Sequence, residues 1–448
     1  MAKSKKKRGK GEAKDRQTKS KDKNKRKEIL IYALSGILIF GVLAFALGMI
    51  QFFISDDGEG FINEMQSKKD FGAVIDKMKD KELVLLGEST HGTNEFYEIR
   101  RKISKELIED HGFDFIAVEG DWESIYKLNK YVKGLSNKNS AKDVMQEFDR
   151  WPEWLWSNEE IEKLAEWLKE YNSNLAEDEK VGFYGMDVYG GENSLEAVEE
   201  ILQNPVYECL SAVSDDFTQY PVYLAQRNEP CNEEAIGVYE AISSLDGLKE
   251  QIGEEKYFYL EQNALVVKNA ERHLMAQVVP QLSSWNERVE HMKETITRLL
   301  EKYDGKGIVW AHNTHVGDAS ETEMANEGRV NIGQLVREEE IENFILGFGT
   351  YTGEVVAGSS WGSEKEVMQI PKANENSYEA LLNYLNKDKI LLLMDAKKIP
   401  DEFRKINNHR AIGVVYNPLH EYPGNYVETN LTGRYDGFIY LRETEALI

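Results

Sequence analysis

Short apolar runs alternate along most of the chain with stretches in which apolar residues recur every three or four positions. The short runs indicate buried strands, and the second pattern indicates amphipathic helices. This alternation is typical of an α/β fold with a central mixed, mostly parallel sheet covered by helices on both faces. The predicted strands are residues 83–86, 115–118, 182–184, 308–310, 344–348, 390–394, 412–416 and 438–441. The predicted helices include residues 95–109, 158–171, 194–202 and 286–302.

The middle of the chain departs from this alternation. Residues 190–302 carry almost no strand pattern, and we expect them to form a mostly helical insertion. No stretch with the composition of a linker interrupts residues 71–448. We therefore predict a single domain over residues 55–448 that includes the helical insertion.

The first 54 residues differ sharply from the rest. Residues 1–28 are predicted to be a basic, disordered, cytoplasmic tail, because residues 1–27 hold 14 Lys or Arg and only 3 acidic residues. The following 26 residues, 29–54, carry no charge. At about 1.5 Å per residue they can cross a hydrocarbon core of about 30 Å. We predict one N-terminal transmembrane helix that places the domain outside a cell membrane.

A cleaved signal peptide is the alternative reading of this segment. The tripeptide Ala44-Phe45-Ala46 resembles a cleavage site with two small residues. However, the apolar run continues for eight residues beyond it, and the preceding basic region is unusually long. These features favour an uncleaved signal-anchor.

The net charge limits the partners that the domain is expected to bind, whereas the two cysteines leave the question of a disulfide open. The formal net charge is −24, and residues 1–27 contribute +11, which leaves −35 from residue 28 onward. So acidic a domain is not expected to bind nucleic acid, and it favours neutral or cationic partners. Cys209 and Cys231 are the two cysteines. Export permits them to form a disulfide, but their spacing does not demand one.

Three predicted strands end in side chains suited to acid–base chemistry. The apolar run 83–86 leads into a turn that contains Glu88 and His91. Because the carboxyl ends of parallel strands meet at one edge of a sheet, ligands usually bind there. A carboxylate beside an imidazole fixes the tautomer of the ring and raises its basicity. Glu88 and His91 therefore suit a general base for water.

The other two strand ends carry similar groups. Glu119 and Asp121 follow residues 115–118, and His312, Asn313 and His315 follow residues 308–310. We expect all of these side chains to converge on one site. Their oxygen and nitrogen atoms also suit zinc, manganese or iron, so a metal site stays open at this point. No Gly-x-Ser-x-Gly motif is present, and neither cysteine lies near a histidine motif, which disfavours a serine or cysteine nucleophile.

These motifs belong to seven blocks that follow one another in a recognisable order. With them, the sequence resembles the erythromycin esterase family from about residue 70 to the C-terminus. The blocks are GESTHGTNEF at 87–96, VEGDW at 118–122, WLWSNE at 154–159, GFYGMDVY at 182–189, WAHNTHVGD at 310–318, NIGQL at 331–335 and GFGT at 347–350.

The resemblance implies a hydrolase that opens macrolide lactones and confers antibiotic resistance, without a metal or other cofactor. It implies that His91 is the general base for water. Glu88, Glu119 and His312 match further catalytic positions.

The resemblance also points to residues that bind the substrate. Arg100 matches a basic residue on the helix after the first motif, where it would bind an oxyanion or a carboxylate. We expect Asp121, Asn313, His315 and Arg288 to contribute to substrate binding as well.

The sequence departs from the family in two places. The family usually has an aspartate where Val289 stands, although Arg288 and His291 still share a helix face. The predicted membrane anchor is the second departure, because the known resistance enzymes are soluble. The resemblance therefore does not by itself establish a macrolide as the substrate.

The sequence thus predicts a membrane-anchored hydrolase that cleaves a small-molecule ester or a macrolide lactone at an extracytoplasmic site. Two alternatives stay open. One is a metal-dependent hydrolase that uses the same Glu and His residues. The other is a non-catalytic homologue that binds an envelope glycan or lipid through the same cleft.

Overall fold

The computed structural model describes residues 61–65, 71–202, 232–245, 247–279, 281, 283–397 and 399–448. The predicted basic tail (1–28), the predicted transmembrane helix (29–54) and both cysteines lie outside these residues. Within them, no helix is both long and apolar enough to cross a membrane. Residues Gly60–Ile448 form one compact unit, and the description below concerns this unit.

Strands and helices alternate along this unit. The strands of the described residues are β1 (Ile62–Glu64), β2 (Leu83–Leu86), β3 (Phe115–Asp121), β4 (Gly182–Asp187), β5 (Gly307–Trp310), β6 (Asn343–Gly358), β7 (Lys365–Ile370), β8 (Lys389–Leu393), β9 (Asn407–Arg410), β10 (Tyr426–Thr429) and β11 (Gly437–Thr444). The α-helices there are α1 (Gly72–Met78), α2 (Asn94–His111), α3 (Trp122–Val132), α4 (Ala141–Met145), α5 (Glu159–Asn172), α6 (Gly191–Leu202), α7 (Asn232–Ser244), α8 (Leu248–Ile252), α9 (Glu254–Val278), α10 (Ser284–Tyr303), α11 (Asn313–Val316), α12 (Ile332–Glu338), α13 (Tyr378–Asn383) and α14 (Leu431–Arg434).

A mixed sheet forms the centre of the unit. Within the described residues its order is β1-β8-β11-β6-β2-β5-β3-β4, with β7 paired to the end of β6. Strands β11, β6, β2, β5, β3 and β4 run parallel, whereas β1, β8 and β7 pair antiparallel with their neighbours. The predicted α/β fold with a central mixed sheet is confirmed.

The central strands are apolar because both faces of the sheet are covered. Every residue of β2, β3, β4 and β5 is buried. Such burial requires packed layers above and below the strands, as is usual for parallel strands. Four strands continue further than their apolar runs indicated: β3 extends through Glu119 to Asp121, β4 to Asp187, β6 to Gly358 and β11 to Thr444.

Local signals set the ends of several helices. Asp121 caps α3, because its carboxylate accepts a hydrogen bond from the Ser124 N–H at 3.1 Å. Asn158 caps α5 in the same way. Helix α2 ends at Gly112, whose φ of 67° is a left-handed conformation that glycine adopts without steric cost.

Between β4 and β5 the described residues are helical, from α6 to α10. Helices α6, α7 and α9 share an apolar cluster of their own. Its fully or almost fully buried members include Val198, Ala235, Leu260 and Ala264. Helices α6, α7 and α9 therefore pack around a core of their own, whereas α10 packs against β3, β4 and β5. Residues 203–231, between α6 and α7, lie outside the described residues.

One predicted strand is wrong. Residues 412–416 are irregular, with isolated bridges from Ile412 to Thr90 and from Val415 to Gly358. The segment contacts two different partners at single positions, so no continuous ladder forms. Strands β1, β7, β9 and β10 were not predicted. Most of β7 is exposed, and a polar edge strand lacks the apolar run that signals a buried one.

Candidate active site

Four neighbouring parallel strands bring the candidate residues together at their carboxyl ends. Glu88 and His91 lie in the turn between β2 and α2, and His312 lies between β5 and α11. Glu119 belongs to β3, where the register shifts between Val118 and Asp121. Such an irregularity redirects side chains at the end of a strand. Asp187 is the last residue of β4.

Glu88 and His91 form a buried hydrogen-bonded pair. His91 Nδ1 lies 2.8 Å from Glu88 Oε1. Arg100 donates from a guanidinium nitrogen to the second oxygen, Glu88 Oε2, at 2.6 Å. The Arg100 side chain is completely buried, and its guanidinium carbon lies 4.4 Å from the Tyr97 ring centre and 4.8 Å from that of Trp310. Arg100 therefore lies behind Glu88 and fixes this carboxylate in place.

The surroundings of His91 favour its protonated form. Burial of the ring acts to lower the pKa of His91. The hydrogen bond that His91 donates to Glu88 and the negative charges of Glu119 and Glu88 outweigh this effect, so the pKa of His91 is raised above 6.5. His91 is thus a stronger base than an unperturbed histidine side chain.

A second cluster lies beside this pair. Arg288 donates two hydrogen bonds to Asp187, at 2.8 and 2.6 Å, and a third to Glu119 Oε1 at 2.8 Å. His315 Nε2 lies 3.2 Å from the same Glu119 oxygen, and its ring stacks on Trp285 at 4.5 Å. The cluster joins a cation, two carboxylates and an imidazole in one buried network.

Charge complementarity keeps this network ionised. Burial acts to raise the pKa of Glu119, but the charges of His315, His91 and Arg288 hold it well below its usual value. Burial also acts to raise the pKa of Asp187, and Arg288 outweighs it, so that pKa is lowered. Both carboxyl groups are therefore anionic near neutral pH.

His312 occupies the position between the two clusters. Its backbone N–H donates to Glu119 Oε2 at 2.8 Å, and its Nδ1 accepts from the Thr314 N–H at 3.3 Å. We therefore assign the proton of the neutral ring to Nε2. This buried Nε2 has no hydrogen-bond partner among the described residues. Burial and the nearby charge of His91 hold the pKa of His312 well below 6.5.

Two further candidates lie at the edge of the site. Asn313 is fully buried, and its amide donates to the Phe348 carbonyl oxygen at 2.6 Å and to His409 at 3.1 Å. Its side chain therefore faces the protein interior. Asp121 caps α3 and also lines the cleft.

The cleft over these residues has two lobes, and His91, Glu119 and Arg288 line both of them. The first lobe encloses about 720 Å³, counting space open to solvent, and the second about 1070 Å³. Aromatic residues line the first lobe, namely Phe148, Trp156, Tyr189 and Trp361. The second lobe adds His312, Thr314, His315 and Trp285, together with charged residues at its rim, namely Glu323, Glu327 and Arg329.

Helix α10 contributes Arg288, and the next residue is Val289 rather than the aspartate that the family resemblance led us to expect. Val289 is fully buried in the core. His291 is buried too, and its Nδ1 lies 3.0 Å from the Asn269 amide nitrogen. Arg288 pairs with two carboxylates, those of Glu119 and Asp187, and Asp187 was not assigned to the site from the sequence. The signal was present, because Asp187 ends an apolar strand as Glu119 does.

The carboxylates of the site accept hydrogen bonds from arginine, histidine and backbone N–H groups of the protein. Among the described residues, no group of three or more His, Cys, Asp or Glu is arranged to hold a metal ion. Both Glu119 oxygens accept hydrogen bonds, one from Arg288 and the other from the His312 N–H.

The fold and the site define an α/β protein whose acid–base cleft lies at the carboxyl ends of parallel strands. The chain belongs to the erythromycin esterase family, whose sequence profile matches residues 108–444. The match includes Glu119, Arg288, His312 and His315, whereas Glu88 lies before it. Membership in this family supports a hydrolase.

Two relatives are similar over most of their length. YbfO of Bacillus subtilis strain 168, a proposed hydrolase, is 22% identical over 409 residues, which cover 84% of this chain and 86% of YbfO. Erythromycin esterase type II of Escherichia coli is 21% identical over 388 residues, which cover 78% of this chain and 88% of the relative.

Solved structures share the fold. A succinoglycan biosynthesis protein superposes with a TM-score of 0.69 at 21% identity, covering 86% of this chain and 95% of that protein. A mutant of erythromycin esterase EreC in its open conformation superposes with a TM-score of 0.62 at 18% identity, covering 86% and 98%. At these identities the similarity shows the fold alone.

Proposed function

We propose that this chain hydrolyses an ester or a lactone with water that His91 activates. The observation that carries the proposal is the buried hydrogen bond of 2.8 Å between His91 Nδ1 and Glu88. Glu88 accepts a hydrogen bond from the Nδ1–H of His91, so the free lone pair of the neutral ring is on Nε2. A ring in this state, lining a cleft, is suited to take a proton from water.

In the remaining steps His91 takes one proton from water and later gives it to the leaving group, so it ends each cycle neutral. The water oxygen attacks the carbonyl carbon while its proton passes to His91 Nε2. The carbon–oxygen bond of the ester then breaks, and protonated His91 returns the proton to the leaving alkoxide. The negative charges of Glu88 and Glu119 stabilise the protonated ring between these two steps.

His312 is the donor for the carbonyl oxygen in this proposal. Its Nε2–H is buried without a hydrogen-bond partner among the described residues, and its low pKa keeps the ring neutral with this proton in place. A fixed donor stabilises the negative charge that develops on the carbonyl oxygen during attack. The ring centres of His91 and His312 lie 4.9 Å apart, so His91 can activate a water beside the same carbonyl group to which His312 donates.

The relatives and the cleft support a bulky substrate. The E. coli relative and EreC are both named erythromycin esterases, and we extend that substrate, a macrolide lactone, to this chain. A lobe on each side of His91 offers room for bulky groups on both sides of the ester bond.

We also propose that the cleft lies outside the cell membrane. The basic residues 1–27 and the uncharged residues 29–54 support this topology. Protease added to intact cells should digest the domain and spare the N-terminal tail. Recovery of the intact chain after this treatment, with digestion only once the cells are lysed, would contradict the proposal.

A substrate panel tests the activity itself. The full chain, purified in detergent, should hydrolyse erythromycin or a simpler ester, and the products should contain one added water by mass spectrometry. In water labelled with ¹⁸O, the label should enter the carboxylate product. A His91→Ala chain prepared in parallel controls for contaminating esterases. Absence of hydrolysis across macrolides and simple esters would reject the proposal.

A further inference from the structure

A second buried carboxylate–histidine pair lies behind the catalytic turn. His409 in β9 and Glu379 in α13 have side chains that are 1% and 0% exposed, and His409 Nδ1 lies 2.7 Å from Glu379 Oε1. The same Glu379 oxygen accepts the Arg410 N–H at 3.0 Å. Neither residue lines the cleft lobes described above, so the pair does not contact substrate.

The pair contacts the active site through Asn313. The Asn313 amide nitrogen donates to His409 Nε2 at 3.1 Å, and its Oδ1 accepts the Phe348 N–H at 3.2 Å. This pattern requires the His409 ring proton on Nδ1, where Glu379 accepts it. Asn313 therefore donates to His409, and His409 in turn donates to Glu379, so the three side chains form one directional series of hydrogen bonds.

Asn313 in turn holds the turn that carries the catalytic base. Its backbone N–H donates to the Glu88 carbonyl oxygen at 2.8 Å, and it directly follows His312. Arg434 donates to the Asn313 carbonyl oxygen at 2.9 Å. A Cβ atom on Gly87 would lie 2.2 Å from Asn313 Oδ1, so the Asn313 amide fills the space beside the end of β2.

We propose that Glu379 and His409 are positioning residues, which hold Asn313 so that the Glu88–His91 pair keeps its geometry. The inference rests on the proposed function of His91 as the base. The charged form of Glu379 is required, because an anionic acceptor fixes the His409 tautomer more strongly than a neutral one. Because Glu379, His409 and Asn313 are all buried, water cannot replace a hydrogen bond that one of them loses.

Three substitutions and one control test this role. His409→Leu removes both hydrogen bonds, Glu379→Gln keeps the shape but removes the charge, and His409→Gln can still donate and accept. Asn172→Leu is the control, because Asn172 is equally buried and bonds Val132 and Val181 near the opposite end of the sheet. It should lower the melting temperature without affecting the site.

We expect His409→Leu to lower kcat by about tenfold or more, because small displacements of catalytic groups are costly, and to leave KM nearly unchanged. His409→Gln should recover part of the rate, and Glu379→Gln should fall between wild type and His409→Leu. Asn172→Leu should retain the wild-type kcat at temperatures below its melting point. A wild-type kcat in folded His409→Leu, or an equal loss in Asn172→Leu, would overturn the proposal.

A second readout needs no substrate. Diethyl pyrocarbonate modifies neutral histidine, so the pH dependence of His91 modification, followed by peptide mass spectrometry, reports the pKa of His91. Because the Glu88 hydrogen bond raises that pKa, His409→Leu should lower it, while Asn172→Leu should leave it unchanged. An unchanged His91 pKa in His409→Leu would contradict the positioning role. Absence of ester hydrolysis by the wild-type chain would instead reject the proposed function and leave this readout intact.

Discussion

The rings of His91 and His312 lie 4.9 Å apart, yet their pKa values are shifted in opposite directions. Glu88 and Glu119 raise the pKa of His91, whereas burial beside the charge of His91 lowers that of His312. Neighbouring titratable groups whose pKa values are pushed apart are typical of a base and a donor that work on one substrate.

The first prediction concerns the Glu88 carboxylate. Activity requires neutral His91, so kcat/KM should fall as the pH drops through the raised pKa of this ring, above 6.5. Glu88→Gln removes the largest contribution that raises the pKa, so the acidic limb of the pH profile should move to lower pH. The rate at neutral pH should fall by about 10²-fold, because a neutral partner stabilises protonated His91 less. A pH profile identical to wild type would exclude Glu88 as the partner of the base.

The second prediction concerns the donor. His312→Ala should lower kcat by about 10²- to 10³-fold, as loss of one oxyanion donor does in other hydrolases. KM should change far less, because the donor acts mainly on charge that develops in the transition state. His111→Asn, at the end of α2 and away from the cleft, is the matched histidine control. Equal kcat values for both variants would remove His312 from the mechanism.

The sheet and the convergence of Glu88, Glu119 and His312 could be predicted from the sequence because both depend on local patterns. The apolar runs that form β2, β3 and β5 are followed closely by Glu88, Glu119 and His312. Parallel strands bring such ends together regardless of the conformation of the connecting loops. The predicted strand at 412–416 failed for a different reason. Its partners, Thr90 and Gly358, are set by tertiary packing, which no local pattern reports.

The site residues that were missed or placed differently depend on long-range contacts. Asp187 pairs with Arg288, which is 101 residues away. The amide side chain of Asn313 and its position after a strand suggested that it binds substrate, but this amide donates to Phe348 and His409 instead. Periodicity gives the face on which a side chain lies, and it does not give the partner.

The third prediction concerns stability. Arg288 neutralises Glu119 and Asp187, whose side chains are 6% and 4% exposed. Arg288→Met leaves two buried negative charges without their cation, which should lower the free energy of unfolding by about 3–5 kcal/mol at neutral pH. Both carboxyl groups have lowered pKa values, so their stabilisation is present above the unfolded-state pKa and lost as the pH falls through the folded-state pKa. Without Arg288 the two buried carboxyl groups bind protons at a higher pH than in wild type, so the deficit should already shrink as the pH falls to 4.

Denaturant unfolding of both proteins at pH 7 and pH 4 measures this effect. Lys249→Met is the control, because the Lys249–Glu254 pair is exposed to solvent. Its unfolding curve should match wild type at both pH values. A deficit for Arg288→Met that is equal at pH 7 and pH 4 would show that the charges of Glu119 and Asp187 are not its cause.

The fourth prediction concerns metal ions. Glu119 is bonded to Arg288 and the His312 N–H, and Glu88 is bonded to Arg100, so these carboxylates are committed to cations and donors of the protein. Treatment with a chelator should therefore leave turnover unchanged, and added zinc or manganese should not raise it. Loss of activity with the chelator, restored by one of these metals, would favour the metal-dependent alternative.

Chemical rescue of His91→Ala tests the central claim most directly. Removal of the base should lower kcat by about 10²- to 10⁴-fold and leave a space at the junction of the two lobes. Imidazole added to the folded variant should enter this space and restore part of the rate, with a pH dependence that follows the pKa of free imidazole. Wild-type turnover by His91→Ala without imidazole would contradict the assignment of His91 as the base that activates water.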